Sequence, residues 1–217
     1  MHLIRRLSAS LGAAFAAAAF TVSAQAAITP VGPFTGTNSE TFESFSNYYD
    51  GNFYEPNGTL VFGGAATMSA SNSDLVIYQP GYAPFGLGSA AAQVSDGTKG
   101  LGLNSVSDTV TFVFATAINS FGGYFGAAYG GGFDGNISFG FSDGSTAAYT
   151  YNGGESGALV WQGWTSSVAI TSATVSGSYV VMDGLQVNST ASVPDGGATL
   201  PMLGGAFALL ALIRRKR

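Results

Sequence analysis

The chain has 217 residues, room for one ordinary domain, with seven basic residues, twelve acids, one histidine and no cysteine. Six of the basic residues lie in the two end segments, so residues 27–195 hold a single lysine, Lys99, against all twelve acids, a net charge of −11. Such a body repels phosphate backbones and anionic headgroups, which excludes nucleic acid as a partner. Its lack of cysteine, histidine and arginine excludes thiol nucleophiles, Cys/His zinc sites, histidine bases and arginine phosphoryl clamps.

Residues 1–26 read as a secretory signal peptide. Arg5 and Arg6 form a positive start, Leu7 to Val22 is an alanine-rich apolar run, and Ala24-Gln25-Ala26 gives the small-x-small pattern, with cleavage before Ala27. The alternative is an uncleaved anchor. The arginine pair lacks the surroundings of a twin-arginine signal, so the ordinary secretion machinery is the expected route. Residues 27–39, with Pro30, Gly32, Pro33 and Gly36, read as a spacer.

Residues 40–188 read as one all-β domain. Asp-Gly or Asn-Gly pairs recur at 50–51, 57–58, 96–97, 134–135, 143–144, 152–153 and 183–184, several of them between runs rich in Thr, Val, Ile, Phe and Tyr. No long amphipathic helical pattern interrupts them. The clearest strand is Asp108 to Ala115, where Val110, Phe112 and Phe114 alternate with Thr109, Thr111 and Val113. The clearest hairpin runs from Asn136 to Tyr151 through a two-residue Asp143-Gly144 loop, with Ile137, Phe139 and Phe141 on one face. Further strands are expected near 41–46, 59–68, 74–79, 117–126, 158–163, 167–176 and 179–187. So many strands in one domain predict a two-sheet antiparallel sandwich. The Gly122-Gly123 and Gly130–Gly132 clusters read as loops, because a phosphate cradle needs a following helix and lysine.

Beyond a short stalk at 189–192, the end of the chain has three parts. Val193-Pro194-Asp195-Gly196-Gly197 comes first, then an apolar run from Ala198 to Ile213, then Arg214-Arg215-Lys216-Arg217. Sixteen residues rise about 24 Å as a helix. With the flanking glycines, tilt and snorkelling arginines, that just spans a core of about 30 Å. The basic cluster stops transfer and stays cytoplasmic, so the body sits outside the inner membrane.

This end resembles the PEP-CTERM sorting domains, in their VPDSG-type variant, over residues 193–217. Val193, Pro194 and Asp195 match, as do the short Leu/Ala/Gly helix and the terminal arginines; Gly196-Gly197 stands where the variant shows serine then glycine. The resemblance implies a membrane-embedded exosortase that recognises the motif and removes the helix. It implies transient inner-membrane anchoring, then release to the cell surface or an extracellular matrix, typically in Gram-negative bacteria. A plain C-terminal anchor is the alternative.

The body resembles the β-sandwich domains that precede such tails, through Thr41-Phe42-Glu43-Ser44-Phe45, Phe121-Gly122-Gly123-Tyr124-Phe125 and Met182-Asp183-Gly184-Leu185-Gln186-Val187. That implies a jelly-roll or lectin-like sandwich whose first and last strands pair. In such folds those strands can share a structural calcium, which makes Glu43 and Asp183 candidate ligands. The plainer alternative has Glu43 facing solvent and Asp183 making a turn with Gly184.

Aromatic rings on loops can stack on sugars, and Tyr48, Tyr49, Tyr82 and Trp164 are the candidates. Trp161 alternates with Leu159 and is expected to be buried, with Trp164 on a turn. The alternative is that all of them fill the core. Twelve acids make some close carboxylate pair inevitable, so glycosidase chemistry is not indicated and no catalytic residue is expected. Asn57, Asn136 and Asn188 fit the glycosylation sequon as chance matches. The expected function is that of a non-catalytic structural or adhesive protein among secreted polysaccharide, as in a biofilm. The competing readings are a calcium-stabilised carbohydrate-binding module and, third, a glycan-active hydrolase.

Overall fold

The computed structural model describes residues 27–45, 58–71, 75–80, 93–105, 107–127, 135–151 and 159–190. Eleven strands form one antiparallel network: β1 (Ile28–Pro30), β2 (Asn38–Glu40), β3 (Thr59–Val61), β4 (Ala66–Ala70), β5 (Leu75–Tyr78), β6 (Gly100–Leu103), β7 (Asp108–Ala127), β8 (Gly135–Phe141), β9 (Thr146–Tyr151), β10 (Val160–Gly177) and β11 (Val180–Ser189). A single 3₁₀ turn at Phe62–Gly64 is the one helical element among the described residues. The all-β, sandwich-like architecture expected from the turn spacing is what forms.

Two long strands organise it. The first half of β7 pairs with β4 and with the last third of β10, which in turn pairs with β8 and through it β9. The second half of β7 pairs with β11 and with the start of β10, whose other edge takes β1. Strands β6 and β2 line the far side of β11, and β5 closes that edge. The network thus folds on itself into two layers, β5-β6-β11-β7-β10-β1 and β3-β4-β7-β10-β8-β9, with β7 and β10 common to both. The ladder between them breaks between Thr165 and Ser172 and resumes with the same offset, so both strands bend there together. Irregular backbone in each strand at such a break lets the alternation of its side chains change phase. Accordingly β7 buries Val110, Phe112 and Phe114 before the bend but Phe121 and Phe125 after it, and β10 buries Trp164 and Ile170 before but Ala173 and Val175 after.

The inward residues of the two layers meet in one aromatic core. Phe121 lies 6.0 Å from Phe112 and 6.3 Å from Phe141 across the layers, and Phe139 lies 4.9 Å from Phe125, measured between ring centroids. Tilted and edge-on pairs of this kind add about 0.5–1.5 kcal/mol each beyond area burial. Ile137, Phe139 and Phe141 share the inward face, as the alternation requires. The hairpin loop holds four residues, 142–145, in place of the expected two. Ser145 donates its amide to Asp143 Oδ1 at 2.8 Å, and Gly144 takes the left-handed conformation at φ +83°. Such side-chain capping favours the longer loop.

Five sequence expectations are corrected. Residues 27–39 are no free spacer, because β1 pairs with β10 and Thr37 bonds Val187 and Asn188 beside β11. Of the strand expected at 41–46, the described residues 41–45 form none: Phe42 sits at φ +59° and turns the chain. Strand β6 was not foreseen, since Gly100-Leu101-Gly102-Leu103 has little strand propensity; its glycines leave room for Tyr78 and Val76 of β5. Residues 108–127 and 160–177 are two strands where four were expected. The body extends through Thr190, whose amide donates to the Ala117 carbonyl at 3.0 Å.

A buried carboxylate holds the turn after β2. Glu40 Oε1 accepts the Phe42 amide at 2.8 Å, and Oε2 accepts the Phe62 amide at 2.7 Å. Both phenylalanines are buried in the left-handed region, at φ +59° and +55°. Non-glycine residues adopt that region at a cost of about 1–3 kcal/mol each. One carboxylate binding both amides offsets that cost.

Candidate functional site

Strand β2 pairs with β11, with Glu40 opposite Leu185 and Asn38 opposite Val187. The first part of the body therefore lies beside the last, and Glu43 and Asp183 approach the same segment, residues 93–99, which leads into β6. Asp183 is fully buried. Its Oδ2 accepts the Ser95 amide at 2.7 Å, the Ser95 hydroxyl at 2.9 Å and the Asp96 amide at 2.8 Å; Oδ1 accepts the Gly184 amide at 2.6 Å. Gly184, at φ +58°, forms an irregularity inside β11 and not the turn that an Asp-Gly pair suggested. Glu43 is exposed, and its Oε1 accepts the Thr98 and Lys99 amides at 2.6 Å each, while Oε2 accepts the Thr98 hydroxyl at 3.0 Å. Lys99 donates its Nζ to the carbonyls of Glu43 and Phe45. Tyr78 donates its hydroxyl to the Gln93 carbonyl at 2.8 Å. The segment is thus fastened at both ends and in the middle, over a small cluster of Val76, Tyr78 and Val181.

The electrostatics follow from burial. Desolvation pushes the Asp183 carboxyl above the usual aspartate range, and the donors from Asp96, Ser95 and Gly184 offset this only in part. Burial and the Asp183 charge together push the Tyr78 phenol up. Desolvation also raises Glu43, but hydrogen bonds from Thr98 and Lys99, with the Lys99 charge, outweigh it and hold the carboxyl below its usual range.

A hard cation needs carboxylate and carbonyl oxygens turned toward it. Here amide hydrogens point at the oxygens of both Glu43 and Asp183, and a cation on that side would face their positive ends. The pair does not fit a shared calcium. It is a backbone clamp. Among the described residues, no group of three or more His, Cys, Asp or Glu is placed to hold a metal.

Both tryptophans lie within β10, and the buried one is Trp164. Trp164 lies within β10, not on a turn, opposite Phe121 of β7 and Pro30 of β1. Only 5% of it is exposed, and its ring meets Phe139 at a tilt at 4.2 Å and Phe141 edge-on at 5.9 Å. That removes Trp164 as a surface platform. Trp161 is half-buried on the outer side of the first layer. It lies over the cross-strand pair Gly122 and Gly163, where any Cβ would come within 2.8 Å of its ring. Phe34 and Tyr124 flank it edge-on at 5.4 and 5.3 Å, and its indole N–H donates to the Val31 carbonyl at 2.9 Å.

Tyr48, Tyr49 and Tyr82 lie outside the described residues, as do Ala24, Ala26, the motif Val193–Gly197, and the apolar run and basic end through Arg217. Ala27 is described, its amide 3.5 Å from the Ser167 hydroxyl. Among the described residues, no helix is long and apolar enough to cross a membrane.

Residues 192–217 match the VPDSG-CTERM motif, a PEP-CTERM-like C-terminal sorting signal. The motif marks an exported protein and implies exosortase processing. No curated protein matches the chain in sequence. Among solved structures, similarity extends to a cleaved adhesin domain, K2, of Lys-gingipain, with 14% identity, TM-score 0.44, and coverage of 70% of this chain and 97% of that one. A family 6 carbohydrate-binding module is 11% identical, with TM-score 0.35 and coverage of 56% and 87%. CsCBM6-3 from Clostridium stercorarium, solved with cellobiose, is 12% identical, with TM-score 0.33 and coverage of 56% and 87%. At these scores neither ligand nor mechanism passes from those proteins to this one, and the architecture rests on the strand pairing above.

Proposed function

We propose that this chain is a cell-surface or extracellular-matrix protein whose anionic body, a jelly-roll or lectin-like sandwich, is a non-catalytic structural or adhesive unit among secreted polysaccharide. The sorting signal at residues 192–217 is the observation that carries the reading. The leader at 1–26 supplies export, the apolar run a transient membrane handle, and an exosortase the release. The body suits that setting in two ways. It folds without disulfides around a large aromatic core. Its charge of −11 keeps it soluble and away from anionic surfaces.

Mass spectrometry of the protein recovered outside the cell tests this. The expected termini lie near Ala27 and within Pro194–Gly197, and deletion of residues 193–197 should retain the protein at the membrane. Recovery of an intact Arg217 outside the cell would contradict processing. Hydrolysis of glycans by the purified protein would contradict the non-catalytic reading.

A further inference from the structure

The outward side of the second layer, β3-β4-β7-β10-β8-β9, is an open face of small side chains rich in hydroxyls. Every outward position on these strands among the described residues is Thr, Ser, Asn, Gly, Ala, Leu or Val, and none is charged. One row across five strands reads Ser69, Thr111, Thr174, Gly140, Thr146. The next reads Thr109, Ser176, Ser138, Ala148. Leu60 and Val113, 65% and 48% exposed, are the two large exposed apolar side chains among the described residues, and both stand in the third row, with Thr67 and Ser172. Strand propensity accounts for threonine on an open sheet. It does not account for the two exposed apolar groups falling in one row of that face.

The face is also concave. A trough of about 530 Å³ opens between β9 and β10, lined among others by Ser138, Gly140, Thr146, Ala148, Thr174 and Ser176. That volume is in the range of small-ligand clefts. Its floor is Gly140, where a Cβ would sit 2.6 Å from Thr174 Oγ1. Neighbours within a row stand about 4.8 Å apart and successive rows about 6.8 Å apart; hydroxyls so spaced, with methyl and aliphatic groups between them, match a ligand that alternates hydroxyl edges with C–H faces. Charge selects among occupants. A cation finds no carboxylate on the face. A polyanion is repelled by the acidic body around it. A second copy brings another −11.

We propose that this face docks a neutral polysaccharide chain along the Gly140 trough. The idea deepens the matrix reading above and relies on it only for the presence of polysaccharide. Affinity electrophoresis of the secreted protein, whatever its termini, tests it in gels cast with galactomannan, glucomannan, mixed-linkage β-glucan or acidic alginate. Retardation by at least one neutral glycan and none by alginate is expected. Ser138 and Thr146 are exposed. The double variant Ser138→Arg, Thr146→Arg should weaken binding roughly tenfold or more, about 1.4 kcal/mol, with an unchanged thermal midpoint. Ser39→Arg, at an exposed position on the first layer, should leave binding intact. No retardation by any neutral glycan would overturn the proposal, as would retardation indifferent to the double variant. A wild-type dimer on gel filtration that becomes monomeric in the double variant would assign the face to a second copy instead. None of these results bears on the termini, so failure here and failure of the sorting reading are separable.

Discussion

Truncation of Trp164 to alanine separates a core role from a surface role most sharply. The ring is 5% exposed and lies within 6 Å of both Phe139 and Phe141, the inward residues of β8. Removing a buried tryptophan costs about 3–5 kcal/mol, the transfer loss plus the cavity. Against a typical stability of about 5–15 kcal/mol, that is a large fraction. For a body of this size it lowers the melting temperature by roughly 6–20 °C. Trp164→Phe keeps part of the aromatic stacking and should lose less. Thermal unfolding followed by circular dichroism gives the midpoint, and fluorescence gives an independent reading because the chain holds two tryptophans. With Trp161→Phe, the remaining Trp164 emission should be blue-shifted and resist acrylamide; with Trp164→Phe, the remaining Trp161 emission should be quenched more readily. A Trp164→Ala protein with an unchanged midpoint and lost glycan retention would refute the placement of this ring in the core.

The other predictions concern the carboxylates. Glu40→Ala leaves two buried amides unpaired, at about 1–3 kcal/mol each, and should lower stability in denaturant titration more than Glu43→Ala does. Asp183→Asn replaces an acceptor by a donor and should destabilise by about 1.5–3 kcal/mol, with faster hydrogen exchange at the Ser95 and Asp96 amides. Because the Asp183 carboxyl is raised in the folded state, the native protein holds its proton to higher pH than the unfolded chain does. Stability therefore falls as pH rises from the ordinary aspartate range through the raised value, and that slope should vanish in Asp183→Asn. Asp143 has the opposite sign. Burial raises it, but the Ser145 and Ser166 donors outweigh this and hold it low, as those from Thr98 and Lys99 hold Glu43. Their contribution is present above the unfolded values and fades as pH falls through the folded ones, so the double variant Glu43→Gln, Asp143→Asn should flatten the acid limb of a stability–pH curve.

The readable parts of the fold were those where local pattern and tertiary burial agree. Val110-x-Phe112-x-Phe114 and Ile137-x-Phe139-x-Phe141 alternate strictly, and each fills the core on one face. Strand β6 was invisible because Gly100 and Gly102 are there to admit the side chains of β5, a reason that exists only after the strands pair. Trp161 and Trp164 stand three apart, so a strand must turn them to opposite faces, but period alone does not say which face is inward. The bends in β7 and β10 reverse that phase, and such a break in the ladder leaves no mark in composition. The approach of Glu43 and Asp183 to one segment was implied by the resemblance, although the strand beside β11 is β2 and β1 pairs with β10. Their chemistry was not legible, because the amides of Ser95, Asp96, Thr98 and Lys99 that meet them come from a connection without side-chain signature.

Strands β7 and β10 each run through both layers, so no cut through the body frees a half that keeps its own hydrogen bonds. Partial opening of either layer must unzip a strand that the opposite layer also needs. Damage to either layer would then show as loss of the whole body in a single transition.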